Sequence, residues 1–366
     1  MDKDNLHTYG AQAIALLQQL IAIPSMSKEE GRAADLIQDF LSSKDIPVFR
    51  FGNNVWCTNN HFDAGKPSIL LNSHLDTVPA NSAYTRNPYD AEIIGGKLFG
   101  LGSTDAGGAL VSLAAAFAYF YYDSPNYTLV FAATAEEEIS GREGVESLFA
   151  EEHFQSCFRH PGSFGIVGEP TQLQLCIAEK GLMVLDCVVT GKAGHAAKDE
   201  GGNAIYKAID IISWFKYHAF EKVSPLLGEM KMTVTSIRTS NTAHNVVPAD
   251  CSFVVDVRLT EMYTHDEVLD IINQHVDCEV TPRSKRLKSS CIDPLHPIVQ
   301  AGLKLGKKTF GSPTLSDQAL IPFPCLKCGP GNSVQSHSAD EFILVQDVLD
   351  GVMLYINLIE KVALGR

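Results

Sequence analysis

The chain has 366 residues, of which 45% are hydrophobic and 20% charged, a composition typical of a globular protein large enough for two domains. Asp and Glu number 43 against 29 Lys and Arg, and the resulting net charge of −14 argues against nucleic acid or an anionic membrane as a partner. The nine cysteines form no disulfide framework, and the N-terminus lacks the pattern of a signal peptide. We therefore expect free thiols and a cytoplasmic protein.

The first part of the chain alternates between helix and strand patterns. Apolar residues at helical spacing predict helices around Leu17 and Ile37, and a long apolar run predicts another at 109–122. Short apolar runs predict buried strands at 68–74, 127–135 and 164–170. Strands that alternate with helices indicate an α/β fold, with a mostly parallel sheet and helices on both of its faces.

The pattern changes after Thr171. Strands of alternating polarity and two helices follow in the order β-α-β-β-α, which is typical of a ferredoxin-like α+β domain. The chain then returns to the α/β pattern and ends in a predicted helix at 345–364. We therefore expect one domain formed by residues 1–176 and 289–366, and a second domain, 177–288, inserted into it.

Side chains that can bind metal follow the predicted parallel strands. His74 and Asp76 come at the end of the first strand, Glu136–Glu138 after the second and Glu169 after the third. Because the carboxyl ends of parallel strands meet at one edge of a sheet, where α/β proteins build their sites, we expect these side chains to lie close together.

Each of these residues also has an ordinary explanation. Asp105 could cap the helix at 109–122, His74 could be a satisfied core histidine, and Asp76 could belong to a turn. The glutamates and His337 could be exposed loop residues. Several carboxylates on one edge, however, require either protons or a cation. Histidine and carboxylate together fit zinc, with cobalt or manganese as substitutes.

Short motifs then connect nearly the whole chain with a known family. In order, they are SHLDTVP, GLGSTDAGGAL, TAEEEISG, VGEPT, GHAA, NVVP and HSADEF. In these motifs the sequence resembles the dinuclear zinc family of acetylornithine deacetylase, succinyl-diaminopimelate desuccinylase and carboxypeptidase G. Within that family it resembles acetylornithine deacetylase most.

The resemblance implies a centre with two zinc ions per chain. The implied ligands are His74 and Glu169 for one ion, Glu138 and His337 for the other, and Asp105 for both. The resemblance also implies a cis peptide bond directly after Asp105.

The resemblance further implies roles for residues that do not bind metal. Asp76 would orient His74, and Glu137 would be the general base, which leaves a supporting or solvated role for Glu136. His195, in the inserted domain, would stabilise the oxyanion, in many relatives at the centre of a dimer partner. Asn245 and Arg258 would hold the substrate carboxylate, although the position of Arg258 on the polar face of a strand also suits a structural salt bridge.

Two departures from the family pattern lie beside the predicted centre. Leu101 stands where relatives often have an arginine, and the segment DAGG lacks a lysine common in relatives. The expected reaction is hydrolysis of the amide bond of an N-acyl amino acid, with N-acetylornithine, N-acetylcitrulline or a succinylated analogue as substrate. The alternative is a di- or tripeptidase or a succinyl-diaminopimelate desuccinylase. In either case the resemblance implies a homodimer formed through the inserted domain.

Overall fold

The computed structural model describes residues 3–198 and 202–365, with side chains from residue 7 onward. The helices in this part of the chain are α1 Lys3–Ile21, α2 Gly31–Ser42, α3 Gly108–Tyr119, α4 Val145–Ala150, α5 Glu152–Ser156, α6 Ala204–Tyr217, α7 His265–His275, α8 Pro297–Lys304 and α9 Val345–Ile359. An irregular turn at Ser103–Gly107 leads directly into α3.

The strands are β1 Phe49–Phe51, β2 Asn54–Thr58, β3 Ser68–His74, β4 Ile93–Ile94, β5 Lys97–Phe99, β6 Thr128–Thr134, β7 Phe164–Val167, β8 Leu175–Glu179, β9 Gly181–Thr190, β10 Gly194–His195, β11 Lys231–Arg238, β12 Val246–Val247, β13 Asp250–Leu259, β14 Glu279–Pro282, β15 Ser290–Cys291, β16 Thr309–Ser312, β17 Cys325–Lys327 and β18 Phe342–Leu344.

The chain divides into two compact units. The first consists of Met1–Ile177, Cys291–Phe310 and Ser316–Arg366, and the second of Ala178–Ser290 and Gly311–Leu315. The sequence patterns placed the inserted segment at 177–288 and gave no sign of the short stretch 311–315.

A mixed sheet organises the first unit. Its strand order is β1-β2-β6-β3-β7-β17-β8-β15, with β16 beside β8. The four central strands β6, β3, β7 and β17 run parallel, whereas β2 and β8 join them antiparallel. The expected mostly parallel sheet is thus confirmed.

Helices cover both faces of this sheet. On one face α3 contacts β3 and β6 and packs against α1 and α9, which explains why α3 is apolar all round. On the other face Leu70 and Val130 pack with Val145, Leu148 and Phe154 of α4 and α5. Because the central strands are buried on both faces, they appear in the sequence as continuous apolar runs.

A small three-stranded sheet, β18-β5-β4, was not predicted. Its strands are two or three residues long, too short to produce a recognisable polarity pattern.

No helix in the described residues has the length and hydropathy needed to cross a membrane.

The second unit contains a four-stranded antiparallel sheet with the order β11-β13-β9-β14. Its elements follow as β9, α6, β11, β13, α7 and β14, so the ferredoxin-like prediction is confirmed. One sheet face packs against the two helices, and the alternation along β13 follows from this because Phe253 and Val255 point into that core. Thr264 and Glu267 form a capping box at the start of α7.

Candidate metal centre

The central parallel strands of the first unit carry polar side chains at their carboxyl ends. His74 is the last residue of β3 and lies in register with Thr134, the last residue of β6. Glu137 and Glu138 follow β6, and Glu169 follows β7 two residues after Val167. Since these strands are parallel neighbours, their ends bring the four side chains to one edge of the sheet.

Two further ligand candidates reach this edge from loops. Asp105 lies in the irregular turn before α3, and its peptide bond to Ala106 is cis, as the family resemblance predicted. His337 lies in a loop before β18 with 54% of its side chain exposed, yet its Nε2 is 3.0 Å from Glu138 Oε2. An exposed loop position is therefore compatible with a place in the cluster.

The two carboxylate oxygens of Asp105 face different imidazoles. Its Oδ1 is 3.4 Å from His74 Nε2, and its Oδ2 is 3.7 Å from His337 Nε2. A carboxylate in this orientation can offer one oxygen to each of two cations.

The remaining carboxylates surround His74. Its Nε2 is 3.8 Å from Glu169 Oε1 and 3.9 Å from Glu137 Oε2. One donor atom each from His74, Asp105 and Glu138 lie within 4.8 Å of one another, and the same holds for His74, Glu137 and Glu169. Distances alone therefore do not separate the predicted base, Glu137, from the predicted ligands.

The electrostatics of the cluster favour positive charge. Burial raises the pKa of Glu137 and of Glu169 well above the usual range, and repulsion between neighbouring carboxylates adds to the rise. Burial alone would lower the pKa of His74, but hydrogen bonds with Asp105 and Asp76 hold it well above its ordinary value. Two imidazoles and several largely enclosed carboxylates form a donor set that fits two divalent ions of the zinc type.

Asp76 supports both His74 and the glutamate loop. Its backbone carbonyl lies 2.9 Å from His74 Nδ1, and its carboxylate accepts the N–H groups of Glu137 at 3.0 Å and Glu138 at 3.1 Å. The hydroxyl of Ser27 also donates to it at 2.6 Å. Asp76 therefore fixes the ring orientation of the candidate ligand His74 and the backbone at Glu137 and Glu138.

Glu136 turns away from the cluster. Its φ of 56° places it in the left-handed region, and its carboxylate accepts the N–H of Glu143 within the same loop. Its own N–H donates to the buried Glu30 at 3.1 Å. Because β6 ends at Thr134 and the chain turns at Glu136, both Glu137 and Glu138 reach the cluster.

A sequence profile described as peptidase family M20/M25/M40 matches residues 70–361, which is most of the chain and contains every residue of the cluster. The chain belongs to peptidase family M20/M25/M40. The family resemblance of the motifs is thereby confirmed, and the protein is a metal-dependent amidohydrolase.

Relatives of this M20/M25/M40 chain extend over nearly its whole length. A succinyl-diaminopimelate desuccinylase of Orientia tsutsugamushi (strain Ikeda) is 25% identical over an aligned length of 372 positions. The alignment covers 94% of each chain. A LysW-lysine/LysW-ornithine hydrolase of Sulfurisphaera tokodaii is 26% identical and covers 96% of each chain. Among solved structures, Bacillus subtilis YXEP, described as a dinuclear metal binding peptidase, superimposes with a TM-score of 0.69 at 16% identity, over 96% of this chain and 98% of that one.

The second unit of the M20/M25/M40 chain carries the three predicted substrate-side residues. His195 in β10 is paired with Val246 in β12, and the carbonyl of Asn245 accepts the N–H of Ala196 at 2.9 Å. His195 and Asn245 are therefore neighbours. Arg258 lies on β13 and binds Asp256 through two hydrogen bonds of 2.8 and 3.0 Å. This pair is the salt bridge that the sequence left open.

Two buried acids near the cluster were missed by the sequence analysis. Asp317 accepts the hydroxyl of Thr134 at 2.6 Å, and burial raises its pKa to about 6. Glu341 accepts backbone N–H groups from the turn that holds Asp105, and burial raises its pKa to about 8. Glu341 belongs to the motif HSADEF, but the motif was read only for its histidine. Asp317 has no comparable signal, because its partners lie far away in the sequence.

Proposed function

We propose that the protein hydrolyses the amide bond of an N-succinyl amino acid, in the manner of a succinyl-diaminopimelate desuccinylase. The observation that carries this proposal is the orientation of Asp105, with one oxygen toward each imidazole and Glu137 beside them. The succinyl group is supported by the name of the Orientia relative. It replaces the acetyl group of the first expectation, which rested on motif resemblance.

The proposed cofactor is a pair of zinc ions. His74 and Glu169 would hold one ion, Glu138 and His337 the other, and Asp105 both. Bound zinc lowers the pKa of a water molecule and polarises the amide carbonyl. Glu137 accepts the proton of the attacking water and returns a proton to the amine that leaves.

His195 is proposed to stabilise the oxyanion. The Nδ1 atom of its exposed ring accepts the N–H of Ala197 at 3.1 Å. In the neutral imidazole the proton is then on Nε2, which is left as a donor for a negatively charged oxygen. The side chain of Asn245 is proposed to bind the substrate carboxylate together with Arg258, whose guanidinium would then exchange Asp256 for a carboxylate of the substrate.

The protein is further proposed to be a homodimer. Helix α6 of the second unit presents large exposed side chains along one face, with Tyr206 exposed to 69%, Ile209 to 50% and Tyr217 to 73%. Beside it, β11 is an edge strand of the four-stranded sheet. Contiguous apolar side chains and a free strand edge are typical of an interface. A cytoplasmic location is supported by the cysteine pattern of the sequence, nine scattered cysteines that form no disulfide framework.

A substrate panel tests the proposed reaction. Zinc-loaded enzyme is assayed with N-succinyl-diaminopimelate, N-acetylornithine, N-acetylcitrulline and a set of dipeptides, and kcat/KM is compared. We expect the succinyl substrate to be cleaved most efficiently and the Glu137→Gln variant to lose about 10²- to 10⁴-fold in kcat toward it. Preference for N-acetylornithine or for a dipeptide would overturn the succinyl assignment and leave the amidohydrolase intact.

A further inference from the structure

The side chain of Glu341 is enclosed by the turn that carries Asp105. Glu341 is 1% exposed. Its Oε1 accepts the N–H groups of Thr104 at 2.7 Å and Asp105 at 3.1 Å, and its Oε2 accepts that of Gly102 at 3.0 Å. Its backbone carbonyl accepts a fourth N–H, that of Gly100, at 2.9 Å. One residue thus satisfies four donors of a single short segment.

These donors belong to backbone that has little other support. Gly102 has a left-handed φ of 75°, and the backbone angles at Asp105 and Ala106 are not helical. Within this turn the N–H groups of Ser103 and Gly107 donate to the carbonyls of Gly100 and Gly102, whereas the three remaining N–H groups named above donate to the side chain of Glu341. Buried N–H groups need such an acceptor. The two side-chain oxygens of Glu341 both serve as acceptors.

The same loop makes two more contacts with Asp105. The hydroxyl of Ser336 hydrogen-bonds to its carboxylate, and His337 lies 3.7 Å from its Oδ2. Ser336 and His337 therefore contact the side chain of Asp105, and Glu341 holds its backbone. The carboxylate that faces both imidazoles is oriented from a segment 236 residues away in sequence.

We infer that Glu341 is a positioning residue of the metal centre, which holds the turn so that Asp105 presents one oxygen to each of two metal ions. This inference rests on the proposed two-metal centre. Because Asp105 is shared, loss of Glu341 weakens both metal positions together, whereas loss of a ligand to one ion weakens that position first. Outer partners of metal ligands typically contribute about 10- to 100-fold in affinity.

Two variants and a neighbouring control test this role. In Glu341→Gln the amide keeps one acceptor oxygen, and in Glu341→Ala none remains. The control is Asp340→Asn, because Asp340 also accepts two backbone N–H groups, from Thr85 at 2.9 Å and Arg86 at 3.0 Å. The loop that it holds contains no candidate ligand.

The measurement is a titration of metal-free protein with cobalt(II), followed by the visible absorption of the bound ion and by metal analysis. We expect about two ions per chain for the unmodified protein and for Asp340→Asn. We expect affinity at both positions to fall about tenfold in Glu341→Gln and about 100-fold in Glu341→Ala, with an altered cobalt spectrum in each. Glu341→Gln retains enough hydrogen bonds to fold, as its circular dichroism should show.

The outcomes separate this inference from the proposed function. Unchanged cobalt affinity and spectrum in Glu341→Gln would refute the positioning role while the two-metal centre stands. Equal weakening by Asp340→Asn would also refute it, because the effect would then be one of general loop stability. An unmodified protein that binds no cobalt or zinc would refute the proposed centre itself.

Discussion

Glu136, Glu137 and Glu138 have identical side chains, but the structure places each in a different environment. Glu136 accepts a hydrogen bond within its own loop, Glu137 lies beside His74, and Glu138 contacts His337 at 3.0 Å. The difference comes from one left-handed residue at the end of a strand. Simple strand alternation would have put Glu136 and Glu138 on the same face.

Substitution of each of the three glutamates by glutamine is therefore predicted to affect metal binding and kcat differently. Glu137→Gln should keep both metal ions and lose about 10²- to 10⁴-fold in kcat, the usual contribution of a positioned general base. Glu138→Gln should weaken one metal position and recover part of its activity in excess zinc. Glu136→Gln should have a small effect, because an amide oxygen can still accept the N–H of Glu143.

Metal analysis and kcat, measured on the same preparations of the three variants, check this prediction. The wild-type enzyme, reconstituted in parallel, is the control for metal content. An inactive Glu136→Gln variant with a full complement of metal would show that the general base has been assigned one residue too late.

At the scale of elements, the ends of β3 and β6 are held together by Asp317. The hydroxyl of Thr134 on β6 donates to its carboxylate at 2.6 Å, and the amide of Asn72 on β3 donates to it at 3.2 Å when its nitrogen faces Asp317. Burial nevertheless raises the pKa of Asp317 from 3.8 to about 6. The folded state therefore binds this proton more tightly than the unfolded state does.

A pH dependence of stability follows for the metal-free protein. The cost of ionising Asp317 is absent below the unfolded pKa near 4, grows as the pH rises toward 6 and is constant above it. Asp317→Asn should remove this contribution to the free energy of unfolding, which amounts to about 3 kcal/mol at most. The dependence of stability on pH should then be flatter between these pH values. Denaturant unfolding of both proteins across this range measures it, and parallel profiles would contradict the prediction.

The elements also show what the sequence could and could not predict. The strands Ser68–His74 and Thr128–Thr134 were located within one residue because they are buried on both faces and hence uniformly apolar. The strands β4, β5 and β18 were not predicted because two or three residues are too few to show an alternation of polar and apolar side chains. The ligand candidates could be found at strand ends and in motifs. The side-chain contacts of Glu341 could not, because they join residues up to 239 positions apart.

At the scale of the whole molecule, the exposed face of α6 predicts the oligomeric state. Replacing Ile209 and Tyr217 by lysine should convert a dimer into a monomer in analytical ultracentrifugation, because two charges would then lie in an apolar interface. If His195 serves the centre of the partner chain, the monomer should also lose activity while it keeps its metal.

A matched control is available in the first unit. Ile93 in β4 is exposed to 46%, close to the 50% of Ile209, so Ile93→Lys adds a similar charge at a similarly exposed position. This variant should leave the sedimentation coefficient unchanged. A wild-type protein that is monomeric at micromolar concentration would contradict the proposed interface.

The position of β17 in the sheet has a consequence for how the protein is made. β17 pairs with β7, but the whole second unit lies between them in the sequence. Cys325, the first residue of β17, is therefore synthesised only after that unit. Because the ribosome adds roughly 5–20 residues per second, β7 remains without its partner β17 for on the order of ten to thirty seconds during synthesis. His337 and Glu341 emerge later still. The nascent first unit therefore exposes an unpaired, apolar strand edge after the second unit has been synthesised, and we expect chaperones to bind the nascent chain until β17 has emerged.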